Sequence, residues 1–250
     1  MGPGPANSDD ERERADIAAD PRLPDDLVAR LARDLSPLVR LAVSMRPELT
    51  EEQRAAIDYH VGRDDRIQPA GWAATTTDPQ VQRRCATSAH VGLRRSVAGN
   101  PELAVDLVTL LAGDPDFAVR LMLCERHREV PPETILGVYL ESTTMTNFRL
   151  PGHPAFPRAG LARLADSPDP KARALVVRDP GATPEVVDRL SRDPDPVVRA
   201  RATADPRLPS SRLPELLTTL STATAAAANP GLPVAVMHRI VEGDPLAPEA

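Results

Sequence analysis

Aromatic side chains are scarce in this chain: one Trp, two Tyr and three Phe among 250 residues. A single-core globule normally draws much of its buried area from large rings, so a different kind of core is needed here. Cysteine is limited to Cys85 and Cys124, too few for a disulfide framework, and a reducing compartment is the simpler expectation. No run of ~18 apolar residues exists to span a bilayer. The opening Met1-Gly2-Pro3-Gly4, followed by Asp9, Asp10, Glu11 and Arg12, lacks the apolar core of a signal peptide. The expectation is a cytoplasmic protein with no membrane association. Lysine is nearly missing, since Lys171 stands alone and the other basic residues are arginine. With 30 basic against 36 acidic side chains the net charge is -6, without the positive excess of a bulk polyanion binder. The 13 glycines are scattered and form neither GxGxxG nor GxxxxGK[ST], and GxSxG, HExxH and CxxC are absent as well.

Proline, by contrast, is abundant at 28 residues, about twice the usual ~5%. It recurs at a fixed phase. The pattern (Asp/Asn)-Pro-x-Leu-Pro stands at Asp20-Pro21-Arg22-Leu23-Pro24, Asp205-Pro206-Arg207-Leu208-Pro209 and Asn229-Pro230-Gly231-Leu232-Pro233. Degraded copies begin at Arg46, Asn100 and His153, and Asp78-Pro79 is the most reduced. Two further copies read as carrying a one-residue insertion, from Asp179 and from Arg126. The nine starting positions step by about 26 residues, the mark of an internal repeat.

Each unit reads as two short helices. Apolar residues follow the anchor at helical spacing, as in Leu27, Val28 and Leu31, or Val186, Val187 and Leu190. Asp114-Pro115 and Asp193-Pro194 then read as N-caps of a second helix with proline in its first turn, and Asp34 and Ser167 as equivalent caps. Arg14, Arg40, Arg94, Arg120, Arg173 and Arg199 stand six residues before an anchor, and Asp34, Asp114 and Asp193, with Ser88 and Ser167, six residues earlier again. Stacking turns each such position into a column. An Asp–Arg ladder that ties neighbouring units together is favoured over a row of arginines facing an anionic ligand.

The strings Leu190-Ser191-Arg192-Asp193-Pro194-Asp195-Pro196-Val197-Val198-Arg199 and Ala204-Asp205-Pro206-Arg207-Leu208-Pro209 resemble the leucine-rich repeat variant family and, through the Asp-to-Arg spacing, are more distantly similar to HEAT repeats. The resemblance covers roughly residues 14 to 242 and is weak between 58 and 77. It implies an all-α fold, a right-handed α-solenoid or superhelix of about nine ~26-residue units, each an α-helix paired with a short α- or 3-10 helix. It also implies a binding scaffold as the default role. Some relatives carry a cysteine-rich iron–sulfur segment at the amino terminus, whereas here no cysteine precedes Cys85, so no cluster or other cofactor is expected.

The expected organisation is a mobile tail over 1–13, one helical-repeat domain over 14–242 and a second tail over 243–250. The array is interrupted at 58–77, with a second irregular stretch at 141–152. Insertions in solenoids map to loops and often carry binding residues, so Tyr59, His60, Asp64, Asp65, Arg66 and Trp72 are the candidate partner-binding set. Drift in a tolerant loop, with Trp72 filling a gap, is the plainer alternative. Cys124, His127 and His153 come nearest to a metal set, but His127 falls in an anchor turn that spoils helical ligand geometry, so no metal site is expected. No catalytic residues stand out. The expected function is a non-catalytic scaffold that binds a protein partner through its concave face and the 58–77 insertion. The alternative is a helical-repeat enzyme, either DNA-glycosylase-like and nucleic-acid-binding or acting on a small metabolite in an arginine/carboxylate groove. Few aromatics are available to stack on bases, which makes nucleic acid the less expected partner.

Overall fold

The computed structural model describes residues 10–143 and 149–243. Among them the chain is all-helical, with sixteen α-helices, a few 3-10 turns and no strand. No helix among the described residues is long and apolar enough to cross a membrane. The chain divides into two compact units, 1–156 and 157–250, where one domain over 14–242 is expected from the sequence.

The first unit carries α1 (Glu11–Ala19), α2 (Asp25–Leu31), α3 (Pro37–Ser44), α4 (Glu51–Ala55), α5 (Gly71–Thr75), α6 (Pro79–Ala86), α7 (Val91–Ala98), α8 (Val105–Leu111), α9 (Phe117–Arg126) and α10 (Pro132–Glu141). The second carries α11 (Pro170–Arg173), α12 (Pro184–Leu190), α13 (Pro196–Thr203), α14 (Leu213–Leu217), α15 (Ala223–Ala227) and α16 (Val234–Glu242). Asp10 caps α1, its carboxylate accepting the Arg12 N–H, so α1 occupies residues 11–13 of the expected tail. Residues 1–9, 144–148 and 244–250, and the expectations that fall on them, lie outside the described residues. At the other end Gly243 closes α16 in the left-handed conformation, at φ 76°, which glycine adopts without Cβ strain.

Cores are built from small aliphatic residues. In the first unit Ala15, Ala18, Val28, Leu31, Val39, Val43 and Ile57 pack as one cluster, and in the second Val187, Leu190, Val198, Ala202, Leu213 and Ala226 belong to another. Each fully buried Leu or Val contributes roughly 1.5–3 kcal/mol, so no single side chain dominates.

Proline and acidic residues set the turns, two residues away from the expected caps. Asp114 and Asp193 do not cap helices. Each accepts the backbone N–H two residues on, from Asp116 and Asp195 at 2.8 Å, and Asp34 does the same to Ser36. Asp116 and Asp195 are the true N-caps of α9 and α13, accepting from Val119 at 3.0 Å and from Val197 at 2.9 Å. An Asp side chain serves either a tight turn or a helix start, and at Asp34, Asp114 and Asp193 it serves the turn. Helix registers also show no insertion after Asp179 or His127. Each begins its helix five residues on, at Pro184 and Pro132, so His127 rather than Arg126 starts its copy.

The arginines form the ladder. Arg94 Nε meets Asp114 at 2.7 Å and Arg173 Nε meets Asp193 at 2.7 Å, as Arg14 meets Asp34 at 2.9 Å, all at a separation of 20 residues. From Arg40 onward the column arginines also donate Nη1 to the carbonyl six residues earlier: Arg40 to Asp34, Arg94 to Ser88, Arg173 to Ser167 and Arg199 to Asp193, at 2.7–2.9 Å, and Arg120 to Asp114 likewise. Where the acid is missing the rung changes. Arg120 pairs with Glu141, and Arg199 reaches only the Ser221 hydroxyl at 3.3 Å. Hydrogen bonds from Arg14 and Arg173 hold the Asp34 and Asp193 carboxyls below the usual carboxylate range.

A second set of bonds runs through the anchors. Asn100 Oδ1 accepts the Glu102 N–H at 2.9 Å while Nδ2 donates to Thr76 O at 2.8 Å. Asn229 does the same to Gly231 and back to Thr203 O at 2.6 Å. His153 copies this with Nδ1 accepting from Ala155 at 3.1 Å and Nε2 donating to His127 O at 3.0 Å. An aspartate anchor has no donor, and Arg207 supplies it, held by Asp205 while its Nη1 donates to Asp179 O at 2.6 Å.

Candidate functional site

The 58–77 interruption is a braced segment that contains the short helix α5. Arg95, side by side with the ladder residue Arg94 on α7, is its brace. It is 5% exposed and donates to Asp65 O and Gly62 O, both at 2.9 Å, while its other edge pairs with the Asp116 carboxylate at 2.7 and 2.8 Å. A buried guanidinium stays charged, so it needs this many acceptors. Burial pushes the Asp116 carboxyl up, but the hydrogen bonds from Arg95 and from the Val119 N–H, with the charges of Arg95 and Arg94, together outweigh it and hold the group below its ordinary value. Within the turn the Asp65 carboxylate accepts the Gly62 N–H at 2.7 Å. Arg63 lies over the Phe117 ring, 5.0 Å from its centroid, and pairs with Glu141 at 2.8 Å.

The six candidate residues therefore divide. His60, Asp64 and Arg66 are exposed and have no intramolecular partner among the described residues. Asp65 is exposed, but its carboxylate is spent on its own turn. Tyr59 is half-buried and stacks on His90, ring centroids 4.1 Å apart and planes 19° from parallel. Trp72, also half-buried, donates Nε1 to Met45 O at 2.9 Å and forms a wall shared by two clefts. The first, of about 270 Å³, is bounded by Ala15, Leu41, Ala42, Met45 and Pro69, with Arg46 in its wall. The second, of about 260 Å³, holds Glu51, Arg54, Arg84, Cys85 and Ser88.

This second cleft comes nearest to the arginine/carboxylate groove of the enzyme alternative. Its acid is already engaged: Glu51 accepts from Ser88 Oγ at 2.9 Å and from the Ala89 N–H at 3.1 Å. Arg54 is turned to the backbone, donating to Ser44 O and to Leu49 O at 2.9 Å. Burial lowers the Arg54 guanidinium and pushes the Cys85 thiol up to about 11, which leaves Cys85 a poor nucleophile.

A serine–histidine contact that the sequence does not advertise lies nearby. Ser44 Oγ is 2.8 Å from His90 Nε2, and both residues are buried. Its polarity is wrong for nucleophilic catalysis. His90 Nδ1 accepts the Gly92 N–H at 3.1 Å, which places the ring proton on Nε2, and the Ser44 hydroxyl donates onward to Leu41 O at 2.7 Å. A general base needs a free lone pair facing the hydroxyl, and here the imidazole is the donor. Gly92 is required for the fit, since a Cβ there would come within 2.9 Å of the imidazole.

The nitrogen atoms considered for metal binding are also in use. His127 Nε2 bonds Ala98 O at 2.9 Å and His153 bonds His127 O, both as anchors, while burial pushes the Cys124 thiol up to about 12. Among the described residues no three His, Cys, Asp or Glu side chains converge on a common point. Sequence reasoning passed over Arg95 because it reads as a neighbour of the ladder; an arginine on the buried face of an apolar helix is the signal that would have marked it. Compared with known protein families, curated proteins and solved structures, the chain matches none of them.

Proposed function

We propose that the chain is a leucine-rich-repeat-variant-like α-solenoid of about nine two-helix units that serves as a non-catalytic scaffold for a protein partner, cytoplasmic in location, with the 58–77 insertion as its contact surface. The observation that carries this reading is the bracing of the insertion by Arg95. A drifting loop has no use for a buried guanidinium that binds its backbone at two carbonyls, whereas a contact surface gains affinity from being held in place beforehand. Of the candidate residues it leaves His60, Asp64 and Arg66 facing solvent, and these three form the primary contact set. The repeat reading is supported by the recurrence of the Asp–Arg pair at a separation of 20 residues and of anchor bonds that reach about one unit back along the chain. Ladder and anchors consume the arginines within the fold, which speaks for architecture over ligand chemistry in those columns.

The test is a nuclease-treated pull-down from the native host lysate, read by mass spectrometry, with the native chain and with a His60→Ala/Asp64→Ala/Arg66→Ala variant. The proposal expects a stoichiometric protein captured by the native chain and lost with the variant, at unchanged melting temperature. A protein held equally by both moves the contact surface elsewhere. A salt-sensitive gel shift with DNA and no protein partner refutes the scaffold reading.

A further inference from the structure

The helix α16 exposes two positions that earlier units keep covered. Counted from the anchors Asn100, His127 and Asp179, the eighth and eleventh residues onward are Val108 and Leu111 in α8, Ile135 and Val138 in α10, and Val187 and Leu190 in α12. All six are at most 2% exposed. Counted from Asn229, the same two places in α16 hold Met237 and Ile240, which are 40% and 42% exposed. Val234 and Val241, three residues before and four after Met237, lie on the same side and are 65% and 86% exposed. The helix meets the core of its own unit through Val236.

We infer that this stripe binds the same stripe of a second copy of the chain. The two α16 helices pair antiparallel across a two-fold axis, with both Met237 side chains near the axis and Val234 of either copy against Val241 of the other. A two-fold joins like to like, so both stripes are covered at once. End-to-end stacking would instead use α1 of a second copy as the cover, as α9 packs on α8 and α13 on α12. The charge pattern opposes that. The residue before the column arginine is Val39 in α3, Val119 in α9 and Val198 in α13, each at most 1% exposed, whereas α1 carries the exposed Glu13 there. Set against Met237 and Ile240, that carboxylate would have to shed its water. The ends of α16 favour the antiparallel pair. Its start has no side-chain cap and no acid in the first turn, and its last residue is the exposed Glu242, at the carbonyl end that disfavours an anion. Antiparallel pairing sets the Glu242 end of each helix beside the uncapped start of the other. The uncovered side chains amount to on the order of 250 Å² of apolar surface per copy, at about 100 Å² for a whole aliphatic side chain. That is well short of the ~800 Å² per partner of a stable complex, so the dimer is weak and forms as concentration rises. The inference uses none of residues 58–77 and is independent of the partner surface proposed above.

Analytical ultracentrifugation of the full chain, from about 10 μM to about 1 mM, tests this with three variants whose helical circular dichroism is checked first. Val241→Glu puts a charge in the stripe at an exposed position. Glu242→Arg reverses the charge at the end of α16, and Glu125→Arg makes the same change on the exposed surface near the end of α9 as a control. The expected result is a monomer–dimer equilibrium for the native chain, weakened at least tenfold by Val241→Glu and at least threefold by Glu242→Arg, and unchanged in the control. A native chain that stays monomeric to about 1 mM overturns the proposal. If that monomer also loses melting temperature on Leu246→Ser, the stripe belongs to residues 244–250 instead. Dimers indifferent to Val241→Glu overturn the location, and dimers indifferent to Glu242→Arg overturn the antiparallel pairing. Growth into higher oligomers overturns the two-fold.

Discussion

Replacing Asp114 by alanine should remove more stability than any exposed charge in the first unit. The carboxylate accepts Arg94 Nε at 2.7 Å, Arg94 Nη2 at 3.4 Å and the Asp116 N–H at 2.8 Å, and the side chain is 5% exposed. Breaking a buried pair by removing one partner destabilises by about 3–5 kcal/mol. Arg94 is 16% exposed and regains some water, which places this rung at the low end, about 3 kcal/mol. In a unit of this size that lowers the melting temperature by roughly 6–12 °C. Asp114→Asn keeps an oxygen for the Asp116 N–H and should fall in between, while Glu133→Ala on the exposed first turn of α10 serves as the control. The assay is thermal unfolding followed by circular dichroism, extended to a double-mutant cycle with Arg94→Ala. A rung that works as a unit gives a coupling of at least about 1 kcal/mol. If Asp114→Ala melts with the control, or if the two single effects simply add, the ladder does not hold the helices together.

Three further outcomes are expected. Burial, with a smaller push from Arg54, drives the His90 imidazole down to about 4 from 6.5. The unfolded chain therefore takes up a proton between those values that the folded one refuses, and the stability present above pH 6.5 should drop by about 3 kcal/mol on the way to pH 4. Urea midpoints at pH 7, 5.5 and 4.5 for the native chain and for His90→Asn check this; parallel slopes would argue against it, and the difference between the two proteins cancels the carboxylates, whose unfolded forms begin to take up protons below about pH 5. Cys85 and Cys124, buried and with raised thiol values, should resist a thiol reagent at pH 8 until urea exposes both; fast labelling of the native chain would contradict their burial. Ser221→Asp should give Arg199 the acid its rung lacks, beside the start of α15, and raise the melting temperature slightly, whereas Ser221→Ala should not.

The periodic part of this architecture was legible because periodicity is a property of the chain itself. Arg94 and Arg173 could be placed on one column, and Asp114 and Asp193 on another beside it, before any helix was located. The helix starts were misplaced by two residues because Asp114 and Asp116 are equally good acceptors for a backbone N–H, and only the geometry of the turn decides between them. The copy at His127 was misregistered because it lacks the Asp-Pro pair and Arg126 belongs to a lengthened α9. At the candidate site, exposure of His60, Asp64 and Arg66 follows from their polarity. The stacking of Tyr59 on His90 joins residues 31 apart across an aperiodic segment, and the second role of Arg95 depends on where that segment returns. Neither leaves a local trace.

The anchor bonds carry a lesson about inheritance. At three anchors the position provides one acceptor for the turn and one donor for the backbone behind it, through an amide at Asn100, an imidazole at His153 and an aspartate–arginine pair at Asp205 and Arg207, whereas Asp179 accepts with both oxygens, from Gly181 and Ala162. Three chemically unlike residues are interchangeable there, provided their heteroatoms fall in the same two places. Descendants of such a chain can exchange letters at these anchors while the bonds stay where they were, so kinship in this architecture is better traced by donor and acceptor than by residue identity.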